Sequence, residues 1–353
     1  MAPEAAGDAA MTLPRLQNAL RSFQSSGLRF QLIQQNASTT SSSSSASAAR
    51  KCRTLIVLDS SFNPPTLAHM QMATSALRDL RTQQSIAATL KGGSSGQRRG
   101  LTDDVRLLLL LAVNNADKAP KPATFEERLL MMGEFAGDVQ RAWRTLARET
   151  ATEEEDSHAG EEAATLPVDI GLTTLPYFHD KSAAIATSPE YHFPASETGS
   201  NEGEPHTDQI FLAGYDTLIR IFNPKYYKSP VPEAAVDLPK PDKTPMQIAL
   251  DPFFARAQLR ITMRTDDDWG GREDQVGYVD RIMHGSELED VGGRRDWARR
   301  VELVEGMSGE DSEKAAVSST LAREAVKSKD WDRLRELVPG GVASLIEKGA
   351  VSW

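Results

Sequence analysis

Short uninterrupted apolar runs alternate along this chain with longer amphipathic stretches. Leu55 to Leu58, Val105 to Val113, Ile210 to Ala213 and Gln258 to Thr262 carry few polar positions. Such runs read as strands covered on both faces, because a strand buried on both sides has no polar side to show. Between them, Leu67 to Leu80 places Met70, Ala73, Ala76, Leu77 and Leu80 at helical spacing. Thr124 to Leu146 reads as a second helix. Thr124 stands at its N-cap and Glu127 three residues on, the pattern of a capping box. Asp216 to Phe222, Glu313 to Lys327, Asp330 to Leu337 and Val342 to Lys348 complete the helical stretches. Strand and helix in alternation imply an α/β protein with a parallel sheet and helices on both faces.

The remaining stretches divide the chain. Residues 1–50 read as an N-terminal arm ahead of one domain at 51–353. Met11 to Gln34 holds scattered apolar residues that suggest a short helix docking on the body. Ser38 to Ala49 is nearly all Ser, Thr and Ala, and too little of it can be buried to offset the entropy of ordering it. Three insertions are expected near 149–165, 195–208 and 228–250. Glu149 to Glu162 carries seven acidic residues and no basic one, and Ser229 to Pro245 carries five prolines.

Composition narrows the function. The formal charge is −10, with 40 basic against 50 acidic residues. That balance argues against nucleic-acid binding, which needs a basic face. A lone cysteine, Cys52, excludes a disulfide framework and a multi-thiolate zinc site. The longest apolar run, Leu107 to Val113, falls far short of the ~18 residues that suggest a membrane helix. No secretory signal is visible, and Glu4 and Asp8 weigh against a mitochondrial presequence. A soluble protein of the cytoplasm or nucleus, without a membrane partner, is expected.

Candidate chemistry concentrates in Asp59-Ser-Ser-Phe-Asn-Pro-Pro-Thr-Leu-Ala-His69. It follows the first buried strand and opens the first helix. Ligands of open α/β sheets bind beyond the carboxyl ends of strands, and a helix start there offers N–H groups that suit phosphate. Thr66 and His69 share a helix face, so a hydroxyl and an imidazole would stand side by side. A Pro-rich turn with a surface histidine is the plainer alternative.

These residues resemble a family. Ser61-Phe62-Asn63-Pro-Pro-Thr66-x-x-His69 is similar to the first signature of nucleotidyltransferases with a (His or Thr)-x-x-His motif. Among these it resembles most the eukaryotic nicotinamide mononucleotide (NMN) adenylyltransferases, in a divergent fungal branch. Further segments follow in the family's order: Val113 to Lys118 with Pro122 to Arg128, Ala213-Gly214-Tyr215-Asp216, Val317-Ser318-Ser319-Thr320-Leu321-Ala322-Arg323, and Leu337 to Val342 with the aromatic end at Trp353. The resemblance implies a Rossmann-like fold and adenylyl transfer from ATP, carried with Mg2+, to NMN. It implies that Thr66, His69 and Arg323 are catalytic. Ser61, Phe62, Ser318, Ser319 and Thr320 would join them in holding ATP. Asn63, Lys118, Arg128, Gly214, Asp216 and Phe178 would hold the acceptor. Plain caps remain alternatives for Ser318 to Thr320 and for Asp216, and a solvated charge for Lys118.

The sequence also departs from the family pattern. Ser60 stands where the family has glycine, Leu321 where it has lysine, and the mid-chain tryptophans that stack on nicotinamide are missing. Tyr177, Phe178 or Trp269 could stack instead, and His179 falls where the nicotinamide site is expected. His158, His206 and His284 read as exposed. Two rival readings follow: another phosphorylated acceptor, or an ATP-binding or ATP-hydrolysing interaction or quality-control protein.

Overall fold

The computed structural model describes residues 12–35, 52–90, 105–113, 123–149, 166–191, 207–227, 242–264, 269–306 and 317–353. Their elements, in chain order, are α1 (Leu13–Ser26), β1 (Phe30–Gln35), β2 (Thr54–Asp59), α2 (Leu67–Leu90), β3 (Val105–Ala112), α3 (Phe125–Glu149), β4 (Val168–Thr173), α4 (Phe178–Ala186), β5 (Asp208–Gly214), α5 (Tyr215–Ile221), α6 (Pro245–Arg256), β6 (Ala257–Thr262), α7 (Arg272–His284), α8 (Glu287–Asp290), β7 (Val301–Val304), α9 (Ser319–Ser328), α10 (Trp331–Leu337) and α11 (Gly340–Glu347).

The seven strands form one sheet in the order β1-β4-β3-β2-β5-β6-β7. Every neighbouring pair is parallel except β1 with β4. Set β1 aside, and the six parallel strands run third, second, first, fourth, fifth, sixth in chain order. That is the order of the Rossmann fold, in which the chain reverses direction between the first and fourth strands. Here the reversal lies between β2 and β5.

Alternation along β2 builds two cores. Ile56 and Leu58 face a cluster made with α1, α2, α3 and α9 to α11, which includes Phe23, Leu77, Phe135 and Leu334. Leu55 and Val57 face the opposite cluster, made with α4 to α7, which includes Ile185, Leu218, Leu250 and Ile282. The capping box of α3 forms as read: Thr124 N–H donates to Glu127 Oε2 at 2.8 Å, and Glu127 N–H donates to Thr124 Oγ1 at 3.3 Å.

The short helix expected to dock on the body forms as α1, but the boundary at residue 51 is corrected. Residues 12–35 belong to the body, and only 36–50 and the first eleven residues lie outside the described set. Leu16, Leu20 and Phe23 of α1 are buried in the first core. Gly27 ends α1 in the left-handed region, at φ 71°, where a side chain would be strained. β1 then pairs antiparallel with β4 and closes one sheet edge. The strand was missed because Phe30 to Gln35 mixes three glutamines with its apolar residues. β4 was missed because Asp169 and Gly171 interrupt its apolar run. A Cβ on Gly171 would lie 3.1 Å from the Leu108 and Phe30 side chains and 3.3 Å from that of Leu32, so glycine leaves room for those side chains over β4.

The expected insertions are corrected at their ends. α3 continues to Glu149. Thr207 Oγ1 donates to the Cys52 and Tyr191 carbonyls, and β5 opens at Asp208. Residues 245–250 are helix, because Thr244 and Gln247 make a reciprocal capping box with Pro245 at the first position. Residues 150–165, 192–206 and 228–241 lie outside the described residues. The last helical stretch begins at Ser319, with Ser318 as its cap. Among the described residues no helix is long and apolar enough to cross a membrane.

A buried charge cluster ties β3 to β4. Arg106 donates through Nε and Nη2 to both oxygens of Asp169, at 2.8 and 2.5 Å, and Tyr191 donates its hydroxyl to the same carboxylate at 2.7 Å. Asp169 is fully buried. Its charge and burial push the Tyr191 phenol well above its ordinary value, burial contributing most.

Two outcomes follow. Asp169→Asn leaves a buried guanidinium half-paired and should cost about 3 kcal/mol or more in urea unfolding, whereas Arg106→Met with Asp169→Leu should restore most of that loss. Deleting residues 1–35 uncovers the α3 surface beneath Leu16, Leu20 and Phe23. At ~1.5–3 kcal/mol per large buried side chain, the truncated protein should melt well below the full chain.

Candidate functional site

The site grows from the tip of β2. Asp59 faces the second core and Ser60 the first, as strand alternation requires. Ser60 N–H still donates to Leu110 O at 3.3 Å, so the ladder holds to the last residue. The chain then turns through Ser61 to Pro65 and enters α2. Phe62 takes φ 45°, and the Asn63–Pro64 bond is cis. Positive φ therefore falls on Phe62 and not on Ser60, the residue that replaces the family's glycine. The Phe62 side chain is buried, its ring 5.6 Å from His69 and 6.1 Å from Phe135. Ser61 is exposed at the surface of the turn.

Thr66 and His69 meet as expected. Thr66 N–H donates to His69 Nδ1 at 3.0 Å, and the Thr66 hydroxyl lies 2.8 Å from the same nitrogen. A backbone N–H can only donate, so Nδ1 is the unprotonated nitrogen. The proton sits on Nε2, which donates to Ser60 Oγ at 2.8 Å. Burial disfavours a charged ring and lowers the His69 pKa to about 4. The ring is thus a neutral donor at the strand tip.

Three helix starts converge on this turn. At α3, Ala123 N–H donates to Asn63 Oδ1 at 3.0 Å. Arg128, on the first turn of α3, donates through Nε to Ala123 O at 2.9 Å and lies over the Phe125 ring at 5.1 Å. At α9, Ser319 Oγ donates to Pro64 O at 2.8 Å and Arg323 Nη1 donates to Asn63 O at 2.7 Å. Arg323 also donates to Thr320 Oγ1 at 2.9 Å. Ser318 acts as a plain cap, its Oγ accepting from Leu321 N–H at 3.2 Å. Asn63 and the Ser318 to Thr320 hydroxyls are therefore engaged within the protein, where they stitch the turn to α3 and α9. Arg128 is buried and titrates below the ordinary arginine value, first through burial and then through repulsion from Arg323. Two guanidiniums close enough to repel form a place where an anion is favoured.

The other expected residues lie apart. Gly214 ends β5, across the reversal from β2, and a Cβ there would stand 2.9 Å from Asp216 Oδ1. Asp216 faces Arg264 at 3.7 Å and Arg220 at 4.0 Å. Phe178 is not brought to His69. It packs on Phe211 at 5.4 Å, in the opposite core, because α4 crosses the other face of the sheet. Lys118 lies outside the described residues. His179 stacks on Tyr177 at 5.6 Å and lies 5.7 Å from Tyr227. Burial lowers its pKa, and Asp180 opposes that shift. Tyr177 is exposed, and Trp269 is half-buried against the second core. His284 is exposed beside Asp280, as read, while His158 and His206 lie outside the described residues.

Sequence reasoning missed Ser60 as the Nε2 partner and the ion pair between Lys181 and Asp59. Ser60 was legible in principle, since alternation after Leu58 points it to the α2 face. The Lys181 pairing spans 122 residues and needs the crossover of α4, which no local pattern announces.

No family model matches the chain. A protein of Schizosaccharomyces pombe (strain 972 / ATCC 24843), described as "Putative nicotinamide mononucleotide adenylyltransferase", is 29% identical over 297 residues, covering 84% of each chain. Two solved structures of Plasmodium falciparum nicotinic acid mononucleotide adenylyltransferase, complexed with NaAD and with APC, cover 84% of this chain and 96% of theirs. Their identities are 12% and 10% and their TM-scores 0.33 and 0.34, a likeness too loose to carry any argument. The resemblance to the nicotinamide mononucleotide adenylyltransferases, first carried by separate motifs, thus extends over 84% of the chain in its similarity to the fission-yeast protein described as one of them.

Proposed function

We propose that this protein transfers the adenylyl group of ATP to NMN, forming NAD and pyrophosphate. The observation that carries the reading is the convergence of a neutral, Nε2-protonated His69 with Arg128 and Arg323 at the tip of β2. The fission-yeast relative's description supports NMN as the acceptor.

A 5′-phosphate oxygen of NMN attacks the α-phosphorus of ATP in line. The bond from that phosphorus to the bridging oxygen breaks, and pyrophosphate leaves with the electron pair. No protein nucleophile is needed, so the work is positioning and charge stabilisation. Thr66 and the His69 Nε2–H, which would turn from Ser60 Oγ to a phosphate oxygen when ATP binds, would hold the α-phosphate, with the Ser61 and Phe62 N–H groups beside them. The backbone N–H groups at the start of α9 (Ser318, Ser319, Thr320), rather than their engaged hydroxyls, would take the β- and γ-phosphates with Arg323. ATP would arrive as its Mg2+ complex. Arg128 and Asn63, with Lys118, Gly214 and Asp216, would face the acceptor. Arg128 is the strongest of these, because its closeness to Arg323 would be relieved by a bound phosphate.

Purified protein with MgATP and NMN should release NAD and pyrophosphate in equal amounts. Nicotinic acid mononucleotide run in parallel tests whether the pyridine carboxamide is required. Free phosphate without dinucleotide would contradict the reading and favour ATP hydrolysis. His69→Ala and Arg323→Ala should each lower kcat by about 10²-fold, since each removes a donor aimed at developing charge.

His69 also carries a pH signature. Its folded value, about 4, lies below the ordinary 6.5. The unfolded chain therefore binds the extra proton first, and the stability contributed by the neutral ring is present above pH 6.5 and lost as pH falls through 4. In the NMR spectrum the His69 ring signals should stay fixed from pH 8 to about 5.5 and move only near pH 4.

A further inference from the structure

We infer that Lys181 and Asp59 form a positioning pair that clamps the tip of β2 and thereby aims Ser60 and His69. The inference rests on the reading of His69 as the α-phosphate donor.

The ammonium of Lys181 contacts the carboxylate of Asp59, and their side chains are only 5% and 7% exposed. A buried ion pair loses so much hydration that it adds little net stability over apolar side chains of equal size. It sits at the last residue of β2, where the sheet reverses and the candidate site begins. Lys181 comes from α4, the helix that crosses the opposite face, and its ammonium also lies over the Phe178 ring at 5.4 Å.

Alternation explains the consequence. Asp59 and Ser60 are adjacent and point to opposite faces of the sheet. Lys181 holds the strand tip from the α4 side, and Ser60 receives the His69 Nε2–H on the α2 side at 2.8 Å. Beyond Ser60 the chain turns through Phe62 at positive φ. On the β5 side, the register of β2 ends one residue earlier, at Leu58 with Leu212. Asp59 therefore lacks the β5 rung that fixes the residues before it, and the ion pair anchors it from the face of the sheet instead. Phe178 and Lys181 then act together: one packs α4 on Phe211, and the other ties α4 to the strand tip.

The clean variant removes both charges, Asp59→Asn with Lys181→Met, so that no unpaired ion perturbs His69. The positioning role predicts that the His69 pKa rises by about one unit or more toward 6.5 as its contacts loosen. It predicts a fall in kcat of about tenfold, with KM for ATP and NMN changed by less than about twofold. Lys181→Arg, which keeps the charge, should retain most of the activity and the low His69 value. Thermal unfolding is followed in parallel on every variant. A folded double variant with unchanged His69 titration would overturn the inference, whatever its melting temperature. The titration does not depend on turnover, so it decides the clamp even if NMN proves not to be the acceptor.

Discussion

The constraint on which the rest depends is the position of β2 between β3 and β5. Connections from β2 lead first to one side of the sheet and later to the other, and right-handed crossovers place the intervening helices on opposite faces. In such a sheet a crevice lies between the tips of the two strands whose connections lead to opposite faces, here β2 and β5. The turn after β2 projects into that gap, and α2, α3 and α9 all begin against it. Had β2 lain at an edge, the same motif would lack the neighbours that hold it: the Leu110 carbonyl of β3, Ala123 ahead of α3, and Arg323 of α9.

Charge is handled differently in the body and at the tip. In the body, Arg106 and Asp169 neutralise each other, with Tyr191 filling the remaining acceptor site. At the tip, Arg128 and Arg323 repel, and the imidazole between α2 and the strand end is kept neutral. A neutral donor and two cations favour a phosphate without trapping it as a charged partner of His69. The protein's own carbonyls, at Asn63 and Ala123, hold the guanidiniums in place.

Most of the parallel sheet was legible because its strands are buried on both faces and so nearly uniformly apolar. β2, β3, β5 and β6 all show this signal. β1, β4 and β7 escaped it for local reasons: glutamines in β1, Asp169 and Gly171 in β4, and the short, half-exposed Val301 to Val304 in β7. Thr66 and His69 were legible because a three-residue helical spacing fixes their contact. Ser318 was legible only as one of two alternatives, and its hydroxyl makes the cap. Phe178 was placed with the acceptor by resemblance, yet it packs in the opposite core, since sequence order says nothing of which face a crossover helix covers. Lys181 depends on that same crossover geometry and could not be found without it, whereas strand alternation alone points Ser60 to the α2 face.

The most direct test of the central claim is a crystal structure of the protein with Mg2+ and a non-hydrolysable ATP analogue. The expected result places the triphosphate at the β2 tip, with an α-phosphate oxygen about 3 Å from His69 Nε2 and the outer phosphates against Arg323 and the start of α9. A nucleotide bound elsewhere, or a triphosphate turned away from His69 and Arg323, would contradict it.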